Sequence, residues 1–229
     1  MILMFIILYL LLTFSFMYCN YFEIVILRMC LKAVCSFMFV LAPFLFTKNN
    51  KSIRKTKYFK TLLLGLFFAF LGDVLLDIDN SKLGILFILG MLGFALTHIM
   101  YSISFKKHTK FNKITLISFI SLLLPTLYII NFSKLINCGD LILVINLYAV
   151  IISLMVSLAI TIYKNTTLNK LFRKRTLTGV VLFMISDLIL LFSLFGNTSR
   201  LLLPLNNLIY YIAQLIIAFS FYKIKNSYK

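Results

Sequence analysis

Residues 61–78 read TLLLGLFFAFLGDVLLDI, an apolar stretch with Asp73 deep in its interior and Asp77 near its end. Residues 177–195 read LTGVVLFMISDLILLFSLF and carry Asp187 in the same context. Each stretch is long enough to cross the hydrocarbon core of a bilayer as a helix, which takes about 20 residues. A carboxylate at that depth costs about 3 kcal/mol or more, so it indicates a functional site by default. The two aspartates therefore point both to the fold class and to a site.

The composition of the whole chain is that of a membrane protein. Hydrophobic residues make up 62% and charged residues 13%, whereas a soluble domain has about 25% charged residues. The apolar stretches are continuous rather than alternating, which favours helices, because open sheet edges cannot be satisfied in lipid. The first stretch lacks the basic n-region and the cleavage site of a signal peptide, so we count it as a helix. We predict an all-α integral membrane protein with a single domain over 1–229 and eight transmembrane helices at about 1–19, 24–46, 61–78, 83–105, 114–132, 141–163, 177–195 and 203–222.

The net charge of +17 is concentrated on one side of the predicted helices. Eighteen of the 23 lysines and arginines follow the second, fourth, sixth and eighth stretches, and only three lie in the other connections. By the positive-inside rule, this predicts a multi-pass protein of the cell membrane with both termini in the cytoplasm. The charge thus marks topology and argues against a nucleic-acid partner. We expect the basic loops to contact anionic headgroups of membrane lipids.

The two aspartates are predicted to lie at a similar depth. At about 1.5 Å per residue, Asp73 is about 18 Å and Asp187 about 15 Å from the cytoplasmic boundary. Gly65 precedes Asp73 by eight positions, and Gly179 precedes Asp187 by eight. Eight residues are about two helical turns, so each glycine shares a helix face with its own aspartate. The aspartates are also four helices apart on helices of the same direction, which is compatible with two parallel four-helix repeats.

Other polar residues interrupt the neighbouring apolar stretches. We expect them to line, with the aspartates, one polar pocket open toward the cytoplasmic leaflet. Arg28 and Lys32 share a helix face, and either can neutralise a carboxylate or hold a phosphate. The further candidates are Thr97, His98, Tyr101, Tyr148, Tyr210, Tyr211 and Gln214.

Each candidate also has a structural interpretation. Tyr148 can be a packing residue, His98 can hydrogen-bond between helices, and Lys32 can extend to a headgroup. The two site aspartates can form structural ion pairs with the cations of the second stretch. Asp77, one turn beyond Asp73, is interpreted as a solvated helix end.

Five segments resemble, in this order, the YhhN-like, or lysoplasmalogenase, membrane family. The resemblance implies an eight-helix membrane enzyme that cleaves the vinyl-ether bond of lysoplasmalogens. The products would be a fatty aldehyde and glycerophosphoethanolamine or glycerophosphocholine. The segments are 71–76 (LGDVLL), 93–101 (GFALTHIMY), 148–159 (YAVIISLMVSLA), 179–190 (GVVLFMISDLIL) and 210–214 (YYIAQ).

The resemblance also implies roles for individual residues. Asp73 and Asp187 would be the catalytic acids, and a lysophospholipid would be the substrate. One intramembrane histidine is too few for a zinc hydrolase, whose site needs several ligands, so we predict no metal and no other cofactor. The implied substrate-binding residues are Lys32, His98, Tyr148, Tyr211 and Gln214. We add Tyr101, because it lies three positions after His98 and so shares its helix face.

Vinyl-ether hydrolysis is chemistry that two carboxyl groups can perform. A proton must reach the alkenyl carbon, and water must add to the oxocarbenium-like species that results. One buried aspartate can stay protonated and donate that proton. The other, ionised, can stabilise the cation and activate water, as paired carboxylates do in glycosidases. The sequence leaves open which aspartate is the acid.

Two other function classes remain open. A transporter or binding protein for a lipid-like or small polar ligand would also use aspartates near the membrane midplane, and substrate-dependent uptake into liposomes would identify it. A purely structural protein would tolerate alanine at both aspartates. The sequence leaves the oligomeric state open.

Overall fold

The structure, a computed structural model, describes residues 1–78, 84–196 and 201–220. Within these ranges the chain forms eight α-helices, each long and apolar enough to cross a membrane. Two short 3₁₀ turns, Lys51–Lys55 and Gly139–Leu141, precede α3 and α6. The helices are α1 (Ile2–Tyr21), α2 (Val25–Phe46), α3 (Lys57–Ile78), α4 (Ile85–Phe105), α5 (Lys113–Phe132), α6 (Ile142–Lys164), α7 (Lys170–Phe195) and α8 (Leu202–Phe219).

The prediction of eight apolar helices is confirmed, and it suggests a multi-pass membrane protein. The largest difference is at α7, which begins at Lys170 rather than at residue 177. The Asn169 side chain caps this helix by accepting hydrogen bonds from two backbone N–H groups. A search for apolar residues misses such a basic first turn, because hydropathy marks what lipid can cover and not where a helix starts. Residues 83 and 221–222 of the predicted helices lie outside the described residues.

Glycines allow the closest helix contacts. The α3/α4 and α7/α8 pairs pack most extensively. A Cβ atom added to Gly93 would lie 3.1 Å from the Cα of Gly72, so the two backbones are in direct contact. A Cβ atom added to Gly179 would lie 3.1 Å from the backbone nitrogen of Ile217. Small residues at such crossings are the usual means by which membrane helices approach each other.

Most helix contacts of the first four helices have a counterpart among the last four, although the contact of α1 with α8 has no equally extensive counterpart between α5 and α4. The pairs α1/α2, α2/α3 and α3/α4 have the counterparts α5/α6, α6/α7 and α7/α8. The contact of α2 with α8 likewise has its counterpart in the contact of α6 with α4. The predicted four-helix repeat stays a prediction, with which this pattern of neighbours is compatible.

The two ends of the bundle differ in packing. We call the end formed by connections 47–56, 106–112 and 165–169 the basic end, and the other the opposite end. Large aromatic side chains fill the interior near the basic end, where Tyr58, Phe105 and Phe172 are almost fully buried. The cavities that involve the aspartates therefore lie toward the opposite end.

Candidate functional site

A polar cavity of about 290 Å³ contains both predicted site aspartates in its wall. Its lining residues lie at the middle of their helices or nearer the opposite end. The cavity is therefore away from the basic end, toward which the predicted pocket was expected to open. Residue counting predicts depth along each helix but not the aromatic packing that fills the basic end. The polar and charged residues of the wall are Asn20, Arg28, Lys32, Asp73, Asp77, Asp187, Asn206, Asn207 and Tyr210.

Asp73 is 3% exposed and is held by two hydroxyl groups. Ser36 donates its hydroxyl hydrogen to Oδ2 over 2.5 Å, and Tyr210 donates to the same oxygen over 2.8 Å. The described residues provide no hydrogen-bond donor for Oδ1 and no ion-pair partner for this carboxyl group. Asp73 therefore has one oxygen fixed by the protein and one that can meet a ligand in the cavity.

Asp187 is held by a tyrosine and a histidine. The Tyr148 hydroxyl donates to Asp187 Oδ2 over 3.1 Å, and His98 Nε2 lies 3.0 Å from the same oxygen. His98 Nε2 is also 2.8 Å from the Tyr148 hydroxyl, so the three groups form a closed cluster. The other ring nitrogen of His98 lies 3.4 Å from the sulfur of Met155. An imidazole N–H at this position can donate a hydrogen bond to the carboxylate beside it.

The two cations of α2 pair with Asp77 and not with either site aspartate. Arg28 Nη2 lies 3.4 Å and Lys32 Nζ 3.6 Å from Asp77 Oδ1. The Asp77 side chain is only 11% exposed, so its interpretation as a solvated helix end is wrong. Arg28 Nε and Asp77 Oδ2 are buried without a hydrogen-bond partner in the described part of the chain. Such orphaned groups in a polar cavity suit water or a charged ligand.

A second cavity, of about 90 Å³, is almost entirely apolar and shares residues with the first. It lies among α4, α5, α6 and α7, with Met91, Ile130 and Ile152 in its wall. Asp187 belongs to the walls of both cavities, whereas Tyr148 lines only the apolar one. The structure therefore brings a polar space and an apolar space together at one carboxyl group.

Four of the six predicted substrate-binding residues, Tyr101, Gln214, Tyr211 and His98, are not among the residues that line these two cavities. Tyr101 donates its hydroxyl hydrogen to Gln214 Oε1 over 2.7 Å, and both side chains are fully buried. The Tyr211 hydroxyl lies 3.1 Å from the hydroxyl of Ser36, which in turn holds Asp73. Tyr211 is thus connected to Asp73 through the hydroxyl of Ser36. The other two, Lys32 and Tyr148, each line a cavity, and His98 is buried behind Asp187.

Sequence reasoning missed Ser36, which makes the shortest hydrogen bond to Asp73. A signal was present, because Arg28, Lys32 and Ser36 follow each other at intervals of four residues and so form one helix face. Tyr210, by contrast, was predicted to line the pocket, although only the neighbouring Tyr211 was given a substrate-binding role.

A match to a family model agrees with the predicted resemblance. Neither a curated protein nor a solved structure matches the chain. The YhhN family model, by contrast, matches residues 27–221, which include every residue of the two aspartate clusters. The chain therefore belongs to the YhhN family.

Proposed function

We propose that this protein is an intramembrane hydrolase that cleaves the vinyl-ether bond of a lysoplasmalogen. One observation carries the proposal: Asp187 lies where the polar cavity meets the apolar one, and Asp73 lies in the wall of the same polar cavity. In a lysoplasmalogen, the vinyl ether joins the hydrocarbon chain to the polar glycerophosphate. A substrate with its chain in the apolar cavity therefore presents this bond to the two carboxyl groups.

The cations of the polar cavity suit a phosphodiester headgroup. A phosphate group can accept hydrogen bonds from Arg28 and Lys32, including one from the orphaned Nε of Arg28. The unpartnered Oδ2 of Asp77 can then accept from the ammonium group of an ethanolamine headgroup. Asn206 and Asn207 add polar groups to the same wall.

The surroundings of the two aspartates suggest different roles for them. Asp187 has His98 beside it to balance a negative charge, whereas no cation of the described residues forms an ion pair with Asp73. We therefore assign Asp73 as the protonated acid and Asp187 as the carboxylate. Burial without a direct ion-pair partner disfavours an ionised carboxyl group.

The reaction balances with these two groups and one water molecule. Asp73 protonates the vinyl carbon farther from the ether oxygen, and the adjacent carbon becomes the oxocarbenium centre. Asp187 takes a proton from water as the water oxygen bonds to that centre, which gives a hemiacetal. The Asp73 carboxylate then takes the hemiacetal hydroxyl proton, and Asp187 returns its proton to the departing glycerol oxygen. The products are the fatty aldehyde and the glycerophospho compound, and both carboxyl groups regain their starting states.

The test is fatty-aldehyde release from 1-alkenyl lysophosphatidylethanolamine by purified protein in detergent. Asp73→Asn and Asp187→Asn should each abolish release, while Asp140→Asn, an exposed aspartate, should leave it unchanged. Size-exclusion profiles establish that the variants are folded. Wild-type turnover in both Asp73→Asn and Asp187→Asn would reject the paired-carboxyl mechanism. No aldehyde from a monodisperse wild type would reject this substrate class.

A further inference from the structure

A third cavity, of about 590 Å³, lies at the basic end, away from both aspartates. It is formed by the connection between α4 and α5 together with the end of α6. Four lysines line it, and all four are exposed. We call it the lysine pocket. Its lining residues are Lys106, Lys107, His108, Thr109, Lys110, Asn112, Ile114, Thr161, Lys164 and Asn165.

The wall of the lysine pocket is held in place by side-chain contacts. The ring of His108 packs between Tyr58 and Phe172, with centroid distances of 4.6 Å and 5.0 Å. The Asn112 side chain and Thr115 form a capping box that fixes the start of α5. Thr115 also hydrogen-bonds to Thr161 over 2.8 Å, which joins α5 to α6 at this level. The pocket is thus a built concavity rather than a group of lysines on a loose loop.

No acidic residue belongs to this end of the molecule. All six aspartates and glutamates of the chain lie outside 47–60, 106–113, 164–175 and 221–229, the segments that carry eighteen of its basic residues. Among the described residues, the segments around the lysine pocket therefore contain no aspartate or glutamate that could balance its lysines. Their counter-charge has to come from outside, as an anion with several acceptor oxygens.

The surface beside the lysine pocket is apolar and open. The helices α4 and α5 each pack against α6 and make little contact with each other. Near the pocket, Ile114 and Ile117 of α5 are 41% and 65% exposed, and Ile103 of α4 is 37% exposed. Charged groups at a helix end beside an apolar surface match the headgroup and the chain of a lipid.

We infer that the lysine pocket binds the phosphate group of an anionic phospholipid from the leaflet at the basic end, with an acyl chain along α5. The ligand chemistry is a phosphate that carries net negative charge, for which lysine ammonium groups are suitable point-charge partners. The inference is independent of the proposed hydrolase function, since the pocket shares no lining residue with either aspartate cavity.

The experiment is native mass spectrometry of the purified full chain with phosphatidylglycerol and with phosphatidylcholine. In one variant the pocket lysines are changed to glutamine (K106Q/K107Q/K110Q/K164Q). The matched control carries K51Q/K55Q/K57Q/K60Q, which removes the same charge from exposed lysines of the basic end. Because the loss of a single charge-assisted contact to a phosphate group weakens binding by about tenfold, we expect the pocket variant to bind phosphatidylglycerol at least about tenfold more weakly. The control should bind like the wild type.

Each other outcome would overturn the inference. Equal weakening in both variants would mean diffuse attraction rather than a site. Equal binding of phosphatidylglycerol and phosphatidylcholine by the wild type would show that net negative charge is not recognised. Displacement of bound phosphatidylglycerol by excess inorganic phosphate would assign the pocket to a soluble phosphate instead of a lipid. A shift in unfolding temperature with phosphatidylglycerol, measured on the same variants, provides a second readout that does not depend on turnover.

Discussion

Asp73 and Asp187 are held in equivalent ways. Each has two protein groups at Oδ2, one from the helix that precedes it in the chain and one from another even-numbered helix. For Asp73 these are α2 and α8, and for Asp187 they are α6 and α4, which are the counterparts in a four-helix repeat. The correspondence is compatible with the predicted repeat, which stays a prediction, although the donor groups differ. Under the proposed mechanism, that difference would allow one carboxyl group to be the acid and the other the base.

The hydroxyl of Ser36 should matter for turnover. We expect Ser36→Ala to lower kcat by about tenfold to a hundredfold. Asp73 becomes a charged carboxylate as it gives up its proton, and a hydrogen bond to a charged group contributes about 1.5–3 kcal/mol. KM should change little, since Ser36 does not line the cavity. The measurement is aldehyde release at saturating substrate.

Ser186 provides the matched control for this substitution. It is fully buried and precedes Asp187 in the chain, but its hydroxyl donates to the backbone carbonyl of Phe183. Ser186→Ala should therefore keep the wild-type kcat. A loss of kcat as large as that of Ser36→Ala would mean that any small change in the core slows the reaction.

The hydroxyl of Tyr148 joins His98 to Asp187. We expect Tyr148→Phe to lower kcat by about tenfold or more, because the carboxylate loses a donor and the histidine loses a partner. Tyr9→Phe is the control, since the buried Tyr9 hydroxyl also makes one hydrogen bond, to the carbonyl of Tyr211. Both variants should lose similar thermal stability. The prediction fails if their turnover also falls equally.

The cations of the polar cavity should determine the affinity for the headgroup. We expect Lys32→Gln to raise KM by about tenfold while kcat changes little, because it removes a charge-assisted contact to the phosphate and leaves the carboxyl pair in place. The measurement is a full Michaelis–Menten analysis of aldehyde release. Lys134→Gln removes an exposed lysine at the opposite end and should not change KM. Equal kinetics for the two variants would mean that Lys32 does not contact the headgroup.

The sequence predicted the helices well because bilayer-length apolar stretches are a strong signal. It also identified both aspartates, since a carboxylate is costly in an apolar stretch and is usually kept there for function. It could not identify the partners of Arg28 and Lys32. The spacing along α2 limits those partners to one face, but only tertiary packing decides that α3 presents Asp77 there rather than Asp73.

The same limit applies to the cavities. Their position follows from where large side chains leave space, and a sequence does not give that directly. Tyr101 and Gln214 show the consequence. The sequence placed them in the polar pocket because they are polar, whereas their hydrogen bond to each other satisfies part of that polarity within the core.

The contact between α3 and α4 should not tolerate a side chain at position 93. We expect Gly93→Ala to destabilise the fold by about 1–3 kcal/mol, because the new Cβ would meet the backbone of Gly72 at 3.1 Å and backbone cannot move aside like a flexible side chain. The measurement is the unfolding temperature in detergent. Gly65→Ala is a useful comparison, because its Cβ would meet the ring of Tyr101 and not backbone. An unchanged unfolding temperature for Gly93→Ala would contradict this helix contact.

The stability of the basic end should depend on pH through His108. Burial between aromatic rings lowers the pKa of His108 from 6.5 to about 4. Between these values the unfolded chain binds a proton that the folded chain does not, so stability falls as the pH decreases through this window and is unaffected by this group above it. The slope reaches about 1.4 kcal/mol per pH unit at most. His108→Gln removes the titrating group, so its unfolding temperature should fall less than that of the wild type between neutral pH and about pH 5. Parallel curves for the two proteins would show that His108 titrates normally, and thus that the connection between α4 and α5 is not held by this ring.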